Sequence, residues 1–224
     1  MSKEKEYKKA NSIAERGSTL IEQGDYDSSL ICLYEALDIF TRLEDIEKQA
    51  VQLNKIAHVY MRMKDHQKAI ETYKNSFSLF QKLEDPYRQA MVLNNMGHTQ
   101  VQCRQFDDAL NSFKKSCQIF KDLEDSCCVA DQLGNIGSVL RDISAYDEAL
   151  QNYYEALSIY EELGDSLGIA NQFSNIGYIC AMKKDPCKAL EWFEKALPLF
   201  EKTNETQRAE FARKNINNLK RFMQ

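Results

Sequence analysis

Residues 129–160 read VADQLGNIGSVLRDISAYDEALQNYYEALSIY. Apolar and small residues recur at helical spacing through Val129, Leu133, Ile136, Gly137 and Leu140, then again through Ala149, Leu150, Tyr153, Ala156, Leu157 and Tyr160. The stretch therefore predicts two amphipathic helices with a short break between them. Sliding it along the chain in steps of 40 shows that it is one copy of several. Ala50, Ala90, Ala130 and Ala170 align without a gap, and so do Leu53, Leu93, Leu133 and Phe173, and Ala57, Gly97, Gly137 and Gly177. A second cluster holds Ala69, Ala109, Ala149 and Ala189 in register with Tyr73, Phe113, Tyr153 and Phe193. A period of this size marks an array whose units bury their apolar faces by stacking.

The breaks carry their own signals. Asp45, Asp85, Asp125 and Asp165 precede the first helix of a unit, where a carboxylate caps free amides, and Pro86 follows at a first helical position. Shorter breaks fall at Gly24-Asp25, Lys64-Asp65 and Lys184-Asp185. Helices of about 18 residues joined by two- or three-residue loops fill the period, at ~27 Å per helix. Connections this short force successive helices to be antiparallel. Pro198 falls inside the second helix of the last unit and is expected to kink it or loosen its final turns.

The motif Leu133, Ile136, Gly137, Leu140, Ala149, Tyr153 and Ala156 resembles the tetratricopeptide repeat pattern. The 40-residue period is similar to that of the longer-helix branch, which includes G-protein signalling modulator adaptors and kinesin light chains. The resemblance implies an all-α fold, a superhelical solenoid of antiparallel helix pairs. On the 40-residue ruler the chain reads as a single array over 1–224, with repeats at 10–49, 50–89, 90–129, 130–169 and 170–209 and a capping helix over 210–222.

Composition narrows the function. The net charge of −5 argues against general affinity for nucleic acid. No run of apolar residues is long enough to span a bilayer, and the start Met1-Ser2-Lys3-Glu4-Lys5 lacks the apolar core of a signal peptide. A cytoplasmic location is expected. Seven cysteines, an odd number without a Cys-x-x-Cys pair, agree with a reducing compartment. Cys127-Cys128 sits near a helix start, a place that favours thiolate. His58, His66 and His98 are accompanied by no catalytic or phosphate-cradling motif, so no enzyme activity, metal or cofactor is expected.

One polar column stands out. Asn95, Asn135 and Asn175 recur one residue before Met96, Ile136 and Ile176, and the next step reaches Asn215. Asparagine is a poor helix-interior residue, so its recurrence asks for a reason. A carboxamide donates and accepts at once, which suits the backbone of an extended peptide. In the resembling family this position lines the concave groove. Glu15 and Lys55 break the column in the first two units.

Neighbouring columns supply the remaining groove candidates: Asn54, Asn94 and Lys214 in one, and His98, Ser138, Tyr178 and Asn218 in another, with Arg141 beside them. The expectation is a noncatalytic adaptor that binds a protein or linear peptide, acidic in character because Arg62, Arg141, Lys183, Lys214 and Arg221 approach the groove. Two alternatives accompany it. One is a self-associating scaffold, a homo-oligomer through terminal repeats carrying Phe200, Phe211 and Phe222; the other is the sensor region of a peptide-responsive regulator.

Overall fold

The computed structural model describes residues 3–223, and among them it holds eleven α-helices and no strand. The helices are α1 (Lys3–Gln23), α2 (Tyr26–Arg42), α3 (Ile46–Arg62), α4 (His66–Lys82), α5 (Pro86–Gln102), α6 (Phe106–Asp122), α7 (Ser126–Asp142), α8 (Tyr146–Leu163), α9 (Ser166–Met182), α10 (Pro186–Lys202) and α11 (Thr206–Phe222). Most have 17 residues and are separated by three-residue connections. That arithmetic is the origin of the period. It also carries α11 into the register of α3, α5, α7 and α9, so α11 starts at Thr206, ahead of the expected 210.

The chain divides into two compact units, residues 1–119 and 120–224. In the first, α1 to α5 each pack on their sequence neighbours, and Ala50, Ala57, Ala69, Tyr73, Phe80, Leu93 and Met96 form one buried cluster. Buried serines tie one first helix to a second helix across this core. Ser76 Oγ donates to the Ala50 carbonyl at 2.8 Å and Ser116 Oγ to the Ala90 carbonyl at 2.9 Å. In the second unit α7 packs on α8, α8 on α9, α9 on α10 and α10 on α11. Its core is built around Ala149, Tyr153, Ala156, Tyr160, Ile176, Phe193 and Phe200.

The glycine of the repeat sits where the aromatic ring needs room. A Cβ on Gly137 would lie 2.6 Å from Tyr153 Cε1, and one on Gly97 would lie 2.7 Å from Phe113 Cε1. Columns that look independent along the chain are therefore two halves of one contact.

Aspartate caps the helices as the sequence suggests. Asp45, Asp85, Asp125 and Asp165 accept from amides of the first turn, and Asp25, Asp65 and Asp185 do the same for second helices. The residue before each cap was not foreseen. Gly24, Glu44, Lys64, Glu84, Arg104, Glu124, Ser144, Gly164, Lys184 and Asn204 all have positive φ, one every 20 residues. At each a backbone pair closes the preceding helix, for example Glu84 N–H to Gln81 O and Asp85 N–H to Phe80 O, both 3.1 Å. Only two of the ten are glycine, although a Cβ is unfavourable there by about 1 kcal/mol. Glu84→Gly is accordingly expected to stabilise the protein by about 0.5 kcal/mol, net of the greater freedom of the unfolded chain. Chemical denaturation of the two proteins decides it, and a loss of stability would refute the reading.

Pro198 does not end its helix. α10 runs on to Lys202 and closes with Thr203 N–H donating to Leu199 O at 3.0 Å. Pro198 lies on the exposed face, and the helix does without the bond that an N–H there would give to the Glu194 carbonyl.

Candidate functional site

The candidate residues lie on the first helices of the pairs. In the first unit Asn54 is on α3, and Asn94, Asn95 and His98 are on α5. In the second, Ser138, Asn135 and Arg141 are on α7, Asn175 and Tyr178 on α9, and Lys214, Asn215 and Asn218 on α11. The burial pattern repeats with the register: Asn95, Asn135 and Asn175 are half-buried, each followed by a buried Met96, Ile136 or Ile176. Each asparagine thus stands at the edge of the core.

Within this set the side chains behave differently. The Asn54 Oδ1 atom is buried and has no hydrogen-bond partner. Ser138 donates to the Gly134 carbonyl at 2.9 Å and accepts from the Tyr153 hydroxyl at 3.2 Å, so its polar capacity is partly engaged by the fold. Asn215 turns back onto its own helix, with Nδ2 donating to Phe211 O at 2.9 Å. Lys214 and Asn218 line one open recess with Glu210, Arg213, Asn217 and Arg221. The structure therefore brings Lys214, Asn218 and Arg221 together.

Where the column is broken, the replacement is structural. Lys55 Nζ donates to Ser18 Oγ at 2.7 Å, pinning α3 to α1, and burial lowers the lysine pKa. The expected cations are similarly occupied. Arg141 binds Asp142 Oδ1 through Nε and Nη2 at 3.0 and 2.8 Å and lies 5.5 Å over the Tyr178 ring. Arg62 lies 5.8 Å over Tyr26, and Lys183 pairs with Asp147 at 2.5 Å.

A further amide column escaped the sequence reading. Gln52 and Gln172 are only 2% and 3% exposed, and the Oε1 atom of each is buried without a hydrogen-bond partner. Gln172 Nε2 lies 3.4 Å from where a Gly134 Cβ would stand, so this column faces the neighbouring first helix. The signal was present in Gln52, Gln132 and Gln172, which share one position of the 40-residue ruler with Val92 interrupting them, but glutamine is a good helix former and reads as surface.

The adjacent cysteines at the start of α7 are held as thiols. Burial, a hydrogen bond to Asp125 and the charge of nearby carboxylates push the Cys128 thiol up to about 12, and burial with Asp131 and Asp125 raises Cys127. The expected thiolate advantage of this helix start is thus overridden. Among the described residues no cluster of His, Cys, Asp and Glu could hold a metal ion, and no helix is long and apolar enough to cross a membrane.

His58 and His98 occupy one column, and burial lowers both pKa values, with Arg62 adding repulsion at His58. His98 is exposed as a whole, yet its imidazole lies edge-on to Phe113 with ring centroids 5.1 Å apart. Lowered values mean that the unfolded chain binds these protons first as pH falls. Stability is expected to be full above the ordinary histidine value of about 6.5 and to decline as pH drops below it. Thermal melts between pH 7 and 5 test this against His58→Gln/His98→Gln, which should show a flatter profile; identical slopes would refute it.

Comparison with known proteins agrees with this architecture. A family model described as tetratricopeptide repeat matches residues 47–122 and 129–202. The chain belongs to the tetratricopeptide repeat family. No curated protein matches it. Among solved structures, the tetratricopeptide repeat chain is similar to BtubC from P. vanneervenii, with 19% identity, a TM-score of 0.76 and coverage of 91% of this chain and 93% of that one. It is similar to the apo form of RapI, with 18% identity, a TM-score of 0.85 and coverage of 100% and 65%. The third is a kinesin light chain-like repeat protein from Podospora anserina, with 12% identity, a TM-score of 0.75 and coverage of 89% and 98%. Identities this low establish the shared fold. The chain spans about two-thirds of the RapI chain.

Proposed function

We propose that this tetratricopeptide repeat protein is a noncatalytic adaptor whose first-helix walls capture an extended, acidic peptide segment of a partner protein. The observation that carries the reading is the burial pattern within the second unit, where Asn135 and Asn175 are half-buried at the same helical place in successive repeats, as Asn95 is in the first unit. A half-desolvated amide makes a stronger hydrogen bond than one in bulk water, and its paired donor and acceptor match peptide backbone. The recess of Lys214, Asn218 and Arg221 on α11 supplies the positive character, moderated by Glu210. Because Arg141 and Lys183 already hold carboxylates, the acidic preference rests mainly on α11.

Asn135→Ala with Asn175→Ala is expected to keep the helical content and weaken an acidic peptide by about 1–3 kcal/mol in total. Titration calorimetry with peptides selected from an acidic library measures it, and binding to the wild type should weaken as salt rises. Unchanged affinity in the double variant would remove the amide column from the site. Salt-independent binding would remove the charge argument.

Self-association is the second reading. Phe222 is 81% exposed and Phe211 49%, on the last helix of the second unit. Sedimentation of the wild type against Phe211→Ser/Phe222→Ser distinguishes the two, since an adaptor of the proposed kind stays monomeric in both.

A further inference from the structure

A recess lies away from the amide column in the first unit. Its walls are Tyr34 of α2, Leu53 and Tyr60 of α3, and Lys68, Glu71, Thr72 and Asn75 of α4. Leu53 and Tyr60 are seven residues apart and so share one face of α3, about 100° around the helix from Asn54. The space measures about 370 Å³, at the small end of the roughly 300–1,000 Å³ of ligand sites.

The repeat register reveals what this recess can hold. Three periods later the same columns are Tyr154, Phe173, Cys180, Lys188, Glu191, Trp192 and Lys195, on α8, α9 and α10 of the second unit. There the position equivalent to Thr72 carries the only tryptophan of the chain. Its ring lies 5.4 Å from that of Phe173 and 6.1 Å from that of Tyr154, with Lys195 Nζ 4.4 Å from its centroid. In the first unit no side chain grows from that position to do the same, because Thr72 turns its hydroxyl onto the Lys68 carbonyl at 2.7 Å. Tyr34, Lys68 and Glu71 match Tyr154, Lys188 and Glu191, whereas Asn75 replaces Lys195.

We propose that the recess receives the indole ring of a tryptophan presented by a partner protein, seated as Trp192 is seated in the second unit. Its chemistry fits that ring. Leu53 stands where Phe173 stacks, and Tyr34, 44% exposed, offers the edge that Tyr154 offers to Trp192. Asn75 stands where Lys195 covers Trp192, so the cation here is Lys68 instead, which pairs with Asp65 at 2.8 Å and lies 5.4 Å from the Tyr60 ring centroid at the wall of the recess. The indole N–H requires an acceptor, and the recess holds the Glu71 carboxylate and the Tyr34–Tyr60 hydroxyl pair, whose oxygens are 3.0 Å apart. Tyr60 takes the place of Cys180 and narrows one end, so the recess favours a single flat ring. This site is independent of the amide wall and stands or falls separately from it.

The test is fluorine NMR of N-acetyl-5-fluorotryptophan amide titrated with the full chain. The wild type should give one saturable shift. Thr72→Trp, which fills the recess from within, should weaken that binding at least about tenfold while circular dichroism shows the helices intact. Tyr34→Ala, at an exposed position, should weaken it as well and serves as the second variant if Thr72→Trp does not fold. Trp192→Thr opens the equivalent place and should raise the stoichiometry to two. No saturable shift with the wild type, or equal affinity in the filled and open proteins, would overturn the proposal. So would equally tight binding of the corresponding fluorophenylalanine amide, because the indole N–H would then have no role.

Discussion

Tyr153→Ala should lower unfolding stability by about 3–5 kcal/mol. The side chain is fully buried against Gly137, and its hydroxyl donates to Ser138 at 3.2 Å. Deleting the ring removes apolar contact on every side and leaves a cavity that the glycine opposite cannot fill. Filling from the other partner should not work either, because Gly137→Ala alone drives a Cβ into the ring at 2.6 Å. Urea titration of the two single variants and the double variant gives the coupling. Tyr153→Ala with Gly137→Ala is expected to cost clearly less than the two single losses added together. Strict additivity would mean that the pair is not the close contact described.

Gly168→Ala is expected to destabilise by about 1–3 kcal/mol, against the usual gain of about 1 kcal/mol when alanine replaces glycine in a helix. The new Cβ would stand 2.3 Å from Tyr160 Cδ1. Tyr160 cannot swing aside at little cost, since it is 4% exposed and its hydroxyl donates to Asp131 Oδ1 at 2.6 Å. Burial and the hydrogen bond to Asp131 raise its pKa, which keeps it a neutral donor at physiological pH. Combining Gly168→Ala with Tyr160→Leu, which removes the ring, should restore part of the loss relative to Tyr160→Leu alone. A stabilised Gly168→Ala protein would show that helix propensity outweighs the contact.

The fold was legible because its determinants repeat. Gly137 opposite Tyr153 and Gly97 opposite Phe113 are the same contact written twice, and each copy confirms the other in the sequence. The aspartate caps were legible for the same reason. The left-handed residues were not, since Glu44, Lys64 and Glu124 carry no conformational signature and are held at positive φ by the bonds of the helix ends around them. At the candidate site the column of Asn95, Asn135 and Asn175 could be read from its period, but which polar groups the fold itself engages could not. Ser138 answers to Tyr153, Asn215 to its own helix, and Lys55 to Ser18 across a helix pair. Those partners depend on the packing distance between helices, a quantity that no single column contains. Pro198 marks the opposite case: the residue type suggests a kink or loosened final turns, and α10 runs on to Lys202 without the bond that an N–H at this position would have made.

The left-handed joints recur every 20 residues, yet the pattern of buried faces recurs only every 40. Backbone geometry therefore permits splicing at any joint, whereas side-chain chemistry permits it only at alternate ones. Excising residues 45–84 joins Glu44 to Asp85, two groups that already sit in the same local conformations as the neighbours they replace. Removing half that length would close the chain equally well and then seat a second-helix face where a first-helix face belongs. Such a molecule lengthens and shortens by pairs, as a ribbon printed on both sides can be cut and rejoined only where the same side comes up again.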